Sequence, residues 1–545
     1  MSRIAPTADL VTVGDPTRPP TLDEVERVAV GRARVALHPS ALDRAAASEA
    51  MLERLCADRR AIYGVTTGYG PLADRQVDPA DAGALGRGLV HHLASGVGDP
   101  LPPAQARAIV LARLIALSRG LSAVRPELLR WLRDALNRGL APVIPEKGTV
   151  GASGDLTPLA HMALAFTGVD VGAFWRGDRP APAASMLDEA GIRPLTLHRK
   201  EALALVNGTS AMAGLAALNG VHARRLLRAS ALLTAAYAEA LGGHRAAWHP
   251  LAAEARPHPG QRRAAALLWR LSEDAPRLRP FSPTPPRLPN AFGSDRVALA
   301  ALPQDAYSIR CAPQLIGAAD DMAVHHDRIV ECELSAVTDN PLFFPEEGVA
   351  LHAGNFFGQH VAFASDSLHN AVVMLGVLAE RQVARVTDAT MNGGLPPFLT
   401  GGIPGLDSGF MGAQVTASAL VAELRAKSAP ASIQSVPTNA NNQDVNTMGT
   451  VAARRARDAV ADVARIMAVE ALCLAQAVEL RCREEGAPFG PAGRAVLSFA
   501  RARSRFLAED RSLSAEIEAV AADLLAGELE PHAAAEGLGD ALTAF

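Results

Sequence analysis

The chemistry of this chain starts at Ala152-Ser153-Gly154, three small residues inside the stretch Gly148-Thr-Val-Gly-Ala-Ser-Gly-Asp-Leu-Thr-Pro-Leu-Ala-His161. As an isolated tripeptide it is common, and its ordinary explanation is the start of a helix. Ser153 or Asp155 would then be the N-cap, with Gly151 and Gly154 relaxing the turn. A compressed loop permits more. The Gly154 nitrogen, with no Cβ to obstruct it, attacks the Ala152 carbonyl and closes a five-membered ring. Losing water from that ring, and the Ser153 hydroxyl as a second water, leaves a methylidene conjugated to an imidazolone. The product is a strong electrophile made from the chain itself. A serine-hydrolase elbow is excluded, because G-x-S-x-G requires glycine where Asp155 stands.

Other reactive residues are less telling one by one. The chain holds four tyrosines, and Tyr63, Tyr69 and Tyr307 lie in unusual contexts. Tyr63 before Gly64 reads most simply as a packed strand aromatic, Arg310 as a surface charge, and Asn207 as a helix-ending residue. Asn340 before Pro341 reads as a turn. Gly68-x-Gly70-x-x-Ala73 fits a loose dinucleotide fingerprint, but Pro71 interrupts it and no alternation of strands and helices follows. No Gly-Lys-Ser/Thr appears there, so it is not a P-loop. A metal site is not expected: there is no His-Glu-x-x-His, and Val324-His325-His326-Asp327 stands apart from other ligand types.

Together these residues form an ordered set. Tyr63-Gly-Val-Thr-Thr-Gly68, the Ala152-Ser153-Gly154 loop, Leu205-Val-Asn-Gly-Thr-Ser210 and Gln304-Asp-Ala-Tyr-Ser-Ile-Arg310 follow one another, then Thr338-Asp-Asn-Pro341, Gly354-Asn-Phe356 and Asn442-Gln-Asp444. The series resembles the aromatic amino acid ammonia-lyases over about residues 20–490, and among them the bacterial tyrosine ammonia-lyases. The resemblance implies a 4-methylidene-imidazol-5-one formed autocatalytically from Ala152, Ser153 and Gly154, with no metal and no external cofactor. It makes Tyr63 the base that removes a β-proton. A phenol is a poor base unless helix N-termini or cationic groups stabilise its anion. It assigns Arg310 to the substrate carboxylate, sets Tyr307 and Gln304 near that site, and brings Asn207 to the prosthetic ring or substrate. Phe356, Asn442 and Gln443 line the electrophile's pocket. Within Val90-His91-His92-Leu93-Ala94-Ser95-Gly96, which alone is a satisfied His pair on an apolar helix, His92 would meet the substrate's phenol and Leu93 its ring.

The implied activity is elimination of ammonia from L-tyrosine to p-coumarate by a homotetramer. The alternatives are a tyrosine 2,3-aminomutase, a histidine or phenylalanine ammonia-lyase, and a helical scaffold that never cyclises. His92-Leu93 favours the lyase. Asp444, where histidine-selective relatives carry Glu, disfavours histidine.

The elements that must position these residues read as mostly α: a mixed N-terminal portion, 1–215, carrying the loop, then a bundle of long helices, 216–545. No clean linker separates the two, so one continuous domain is equally compatible. Thr21 and Glu24 form a capping box. Pro126 opens a helix with Leu129, Leu132 and Leu136 on one side and Gly139 as its stop. In 451–480, Arg454, Asp458, Asp462 and Arg465 make a polar stripe beside an apolar one of Val460, Val463, Met467, Leu474 and Val478. Its charges mark the run as a buried helix rather than a membrane span. Residues 276–303 are Pro-rich without periodicity, the mark of a lid or excursion.

A net charge of -4 gives no electrostatic case for nucleic acid. Five scattered cysteines without C-x-x-C spacing suit a reducing cytoplasm. Residues 1–20 lack a basic segment followed by an apolar core, so no signal peptide is expected.

Overall fold

The capping box sits where the sequence puts it. Thr21 Oγ1 accepts the Glu24 N–H at 3.3 Å and Glu24 Oε2 accepts the Thr21 N–H at 3.0 Å, opening the helix Leu22–Ala29. The computed structural model describes residues 9–284, 303–486 and 488–545. Among these the chain is mostly α, with twenty helices and four two-stranded pairs. Asp9–Val13 runs parallel to Ala33–Leu37, and the other three pairs are antiparallel. No described strand exceeds five residues, which is why strand-like alternation is so faint in the sequence.

The chain forms two compact units. Among the described residues the first comprises the chain up to Val221, His325–Ser367 and Pro430–Arg457; the second comprises His222–Val324, Leu368–Ala429 and Asp458–Phe545. The sequence pattern places one boundary at 215/216 or none at all; by their contacts these units interleave. Four of the divisions fall inside continuous helices, Ser210–Ala240, Ala312–Leu334, Gln359–Thr387 and Gly449–Glu485. A helix interior carries no turn residues, so no change of composition marks such a division.

In the first unit the helix Pro103–Ser118 is buried at every position from Ala106 onward, as a helix enclosed on all sides must be. The helices Ala82–Leu93, Leu156–Thr167 and Glu201–Val206 pack against one another. Pro126–Asn137 buries Leu129, Leu132 and Leu136 as predicted. In the second unit Val460, Val463, Met467, Leu474 and Val478 are all buried in the core. On the polar stripe, Arg465 bonds Asp462 at 2.8 Å and Glu518 at 2.9 Å. Gln359–Thr387 is long and apolar enough to cross a membrane, but 61% of its most apolar window is buried within the protein. Of the Pro-rich 276–303, residues 285–302 lie outside the described residues.

Candidate active site

The Ala152-Ser153-Gly154 loop is compressed. Ala152 pairs with Gly154 across the serine, and Gly154 pairs in turn with Gly208. Gly154 adopts φ +71°, and a Cβ there would stand 2.2 Å from the Gly208 carbonyl oxygen, so only glycine fits. Neighbouring segments fix the loop from several directions. The Met448 N–H donates to the Val150 carbonyl at 2.9 Å, the Thr447 hydroxyl to the Gly151 carbonyl at 3.0 Å, and the Asp155 N–H to the Gly208 carbonyl at 2.7 Å.

Two carboxamides address Ser153. Asn207 Nδ2 donates to its carbonyl oxygen at 2.8 Å and Gln443 Nε2 to its hydroxyl at 3.1 Å. The Thr438 hydroxyl donates to Gln443 Oε1 at 2.8 Å, which turns the amide nitrogen of Gln443 toward Ser153. Asn439, Ala440 and Asn441, just before Asn442 and Gln443, all have positive φ. Three such residues in succession are strained backbone beside the cavity.

Asp155 does not cap its own helix by a side-chain bond. Its buried carboxylate instead caps the long helix that begins at Ser210. Oδ2 accepts the Met212 N–H at 2.8 Å, and Oδ1 accepts the Thr450 hydroxyl. Burial outweighs these bonds and raises its pKa from 3.8 to about 6.

Tyr63 lies in a turn rather than the expected strand-like piece. The Val65 and Thr66 N–H groups both return to the Ile62 carbonyl, at 3.1 and 3.0 Å, and the Thr66 hydroxyl accepts the Ile62 N–H at 2.8 Å. That hydroxyl-closed turn outcompetes extended pairing. The Tyr63 N–H donates to His352 Nε2 at 3.2 Å, and the Tyr63 Oη accepts the Gly70 N–H at 2.8 Å. Tyr69 meets the Tyr63 ring edge-on with centroids 6.2 Å apart. Burial pushes the Tyr69 phenol above its ordinary value, so it stays neutral.

A cavity of about 940 Å³ joins these groups. Tyr63, Ala152, Ser153, Asn207, Phe356 and Gln443 line it, as do Asn442 and Asp444. His92 and Leu93, at the end of Ala82–Leu93, line it as well, and His92 Nδ1 lies 2.9 Å from the Gly88 carbonyl oxygen. Among the described residues no lysine or arginine lines the cavity, so none of them gives the cationic support anticipated for a Tyr63 anion from this wall.

Gln304, Tyr307 and Arg310 do not line the cavity and belong to the second unit. Tyr307–Arg310 is a single helical turn, and the Arg310 guanidinium lies 4.7 Å from the Tyr307 ring centroid and bonds Gln304 Oε1. Tyr307 is 71% exposed.

Several lining residues escaped the sequence reading. Leu85 and Leu89 precede His92 at helical spacing, so their shared face was legible. His352 and Asn439 carried no local signal, since each reaches the cavity from a distant loop.

The family model of aromatic amino acid lyases matches residues 21–502. A tyrosine ammonia-lyase of Cereibacter sphaeroides is 49% identical over 92% of this chain and 96% of its own. A histidine ammonia-lyase of Symbiobacterium thermophilum is 43% identical over 93% of this chain and 96% of its own. The crystal structure of the tyrosine aminomutase of Streptomyces globisporus matches with a TM-score of 0.89 at 39% identity, covering 96% of this chain and 99% of that one.

Proposed function

The chain belongs to the aromatic amino acid lyases, which are carbon–nitrogen lyases, and on that premise we propose that it eliminates ammonia from L-tyrosine to give p-coumarate. The observation that carries this reading is the shared cavity, lined at once by Ser153, Tyr63 and His92.

The loop fits the 4-methylidene-imidazol-5-one. Gly154 has no room for a Cβ, the backbone folds back across Ser153, and Asn207 Nδ2 sits on the carbonyl that the ring would retain. In forming it, the Gly154 nitrogen bonds the Ala152 carbonyl carbon, and that oxygen leaves as water with the amide hydrogens of Ser153 and Gly154. The Ser153 hydroxyl leaves with its α-hydrogen as the second water. Once formed, the group supplies an electrophilic methylidene that draws electrons from the substrate, with no metal or external cofactor.

Ordinary side chains do the rest. Tyr63, as the phenoxide, takes a β-proton, and the Gly70 N–H at 2.8 Å stabilises its negative oxygen. The electron pair released from the C–H bond forms the double bond as the Cα–N bond breaks and ammonia departs. Leu93 and Phe356 supply apolar wall for the ring. His92 reads the phenol. A carbonyl only accepts, so the bond to Gly88 puts the proton of the neutral imidazole on Nδ1 and leaves Nε2 to accept the substrate hydroxyl. Phenylalanine offers no such donor, at a cost of about 1–3 kcal/mol.

Asn207, Asn442 and Gln443 supply polar contacts around the reacting centre. Arg310, with Tyr307 and Gln304, takes the substrate carboxylate as a guanidinium fork does, and it reaches the site from another copy in a cytoplasmic homotetramer. The test is product analysis after incubation with L-tyrosine, L-phenylalanine and L-histidine separately. p-Coumarate as the main product upholds the reading. β-Tyrosine would make the chain an aminomutase, and urocanate a histidine lyase.

A further inference from the structure

Beneath Asn207 lies a cation that the proposed chemistry leaves unused. Arg113, on the enclosed helix Pro103–Ser118, has no exposed surface. Its Nη1 donates to the Asn207 backbone carbonyl at 2.7 Å, while Nε and Nη2 are buried without a partner among the described residues. Its neighbouring acids are engaged elsewhere. Asp339 binds Lys200 at 2.5 Å and the Ser122 hydroxyl at 2.9 Å, and Asp155 accepts from Met212 and Thr450.

The approach is close. A Cβ on Gly208, which holds φ +140°, would stand 2.2 Å from Arg113 Nη1. Burying a guanidinium with donors unmet costs several kcal/mol, and an apolar residue of similar volume is often as stable or more so. Packing therefore gives no reason for arginine at this position. What the guanidinium touches does: the same residue whose side chain donates to the Ser153 carbonyl at 2.8 Å.

We propose that Arg113 is a positioning residue for the electrophile. It holds the Asn207 backbone so that the carboxamide stays on the Ser153 carbonyl, and its positive charge, buried from bulk solvent, acts on that carbonyl through Asn207. This rests on the reading of Ala152-Ser153-Gly154 given above.

The test compares wild type, Arg113→Met and Arg113→Lys by intact mass, thermal unfolding, and kcat and KM for L-tyrosine. Arg113→Met is expected to unfold no earlier than wild type. Its fraction lacking two waters, or its kcat per dehydrated chain, should fall roughly tenfold or more, with KM within about twofold. Arg113→Lys restores a buried cationic donor and should recover most of the loss. If the methionine variant does not fold, Arg113→Gln takes its place in the same comparison.

A folded, fully dehydrated neutral variant with kcat within about twofold of wild type overturns the proposal. Equal impairment of the neutral and lysine variants does so too, since it would make Arg113 a matter of shape. A wild-type chain at its full sequence mass would overturn the loop's chemistry and this proposal together, whereas an unaffected variant beside a dehydrated wild type overturns this proposal alone.

Discussion

Around Ala152-Ser153-Gly154, groups from residues 207–208, 443 and 447–448 hold the loop, and Gly154 has no space to move into. Around Tyr307–Arg310 the backbone is anchored as well, with Trp248 Nε1 donating to the Ile309 carbonyl at 2.9 Å and Gln382 Nε2 to the Ser308 carbonyl at 2.9 Å, but the two reactive side chains have local contacts: Arg310 meets Gln304 and the Tyr307 ring, and Tyr307 faces outward. Both segments belong to the set of motifs that carried the resemblance. The difference is one of completeness. The first sets its reactive residues on the cavity, whereas the second holds its arginine and tyrosine off it. A segment built that way is suited to a site that a second chain completes.

The largest effect expected is at the loop. Ser153→Ala removes the hydroxyl that leaves as the second water, so turnover should fall roughly a thousandfold or more. Intact mass should show at most one water lost. Arg310→Ala should still show the full loss of two waters from its own sequence mass, which separates the two regions directly.

The next effect tests whether the second region serves another copy. Tyr63→Phe and Arg310→Ala chains, each nearly inactive alone, should regain a measurable share of activity when coexpressed, because some sites then combine an intact Tyr63 with an intact Arg310. Absence of recovery in coassembled chains would return both residues to one subunit and remove the contrast.

Smaller is the effect at His92. His92→Leu should reduce the preference for tyrosine over phenylalanine, measured as the ratio of kcat/KM values, by about 5–100-fold while leaving the dehydrated mass in place.

The last effect is on stability rather than turnover and concerns what braces the loop. Asp155 is raised from 3.8 to about 6 in the folded chain, so the folded state binds the proton more tightly than the unfolded state does. Its contribution to stability is therefore complete below about pH 4 and declines as pH rises toward about 6. Unfolding free energy of wild type relative to Asp155→Asn should fall across that window by up to about 3 kcal/mol. A pH-independent difference would contradict the assignment.

Short-range chemistry was legible in the sequence. Thr21 with Glu24, Pro126 with its leucine face, and the apolar stripe from Val460 to Val478 are set by residues within a few turns of one another, and the structure has them as read. The Tyr63 turn was missed because its closing bond comes from the Thr66 hydroxyl, which outcompetes the extended form. Asp155 was read as a local cap, but its partners at Met212 and Thr450 arrive through the fold. His352 and Arg113 act on Tyr63 and Asn207 across long sequence separations, which periodicity cannot report. The interleaving of the two units was hidden for the same reason: the divisions lie within helices whose pattern does not change there.

The measurement that tests the account most directly is the intact mass of the purified wild-type chain. A mass short of the sequence value by two waters is the predicted result, since Ala152, Ser153 and Gly154 would then have become the electrophile. A mass equal to the sequence value would contradict it, and the compressed loop would be only the start of a helix.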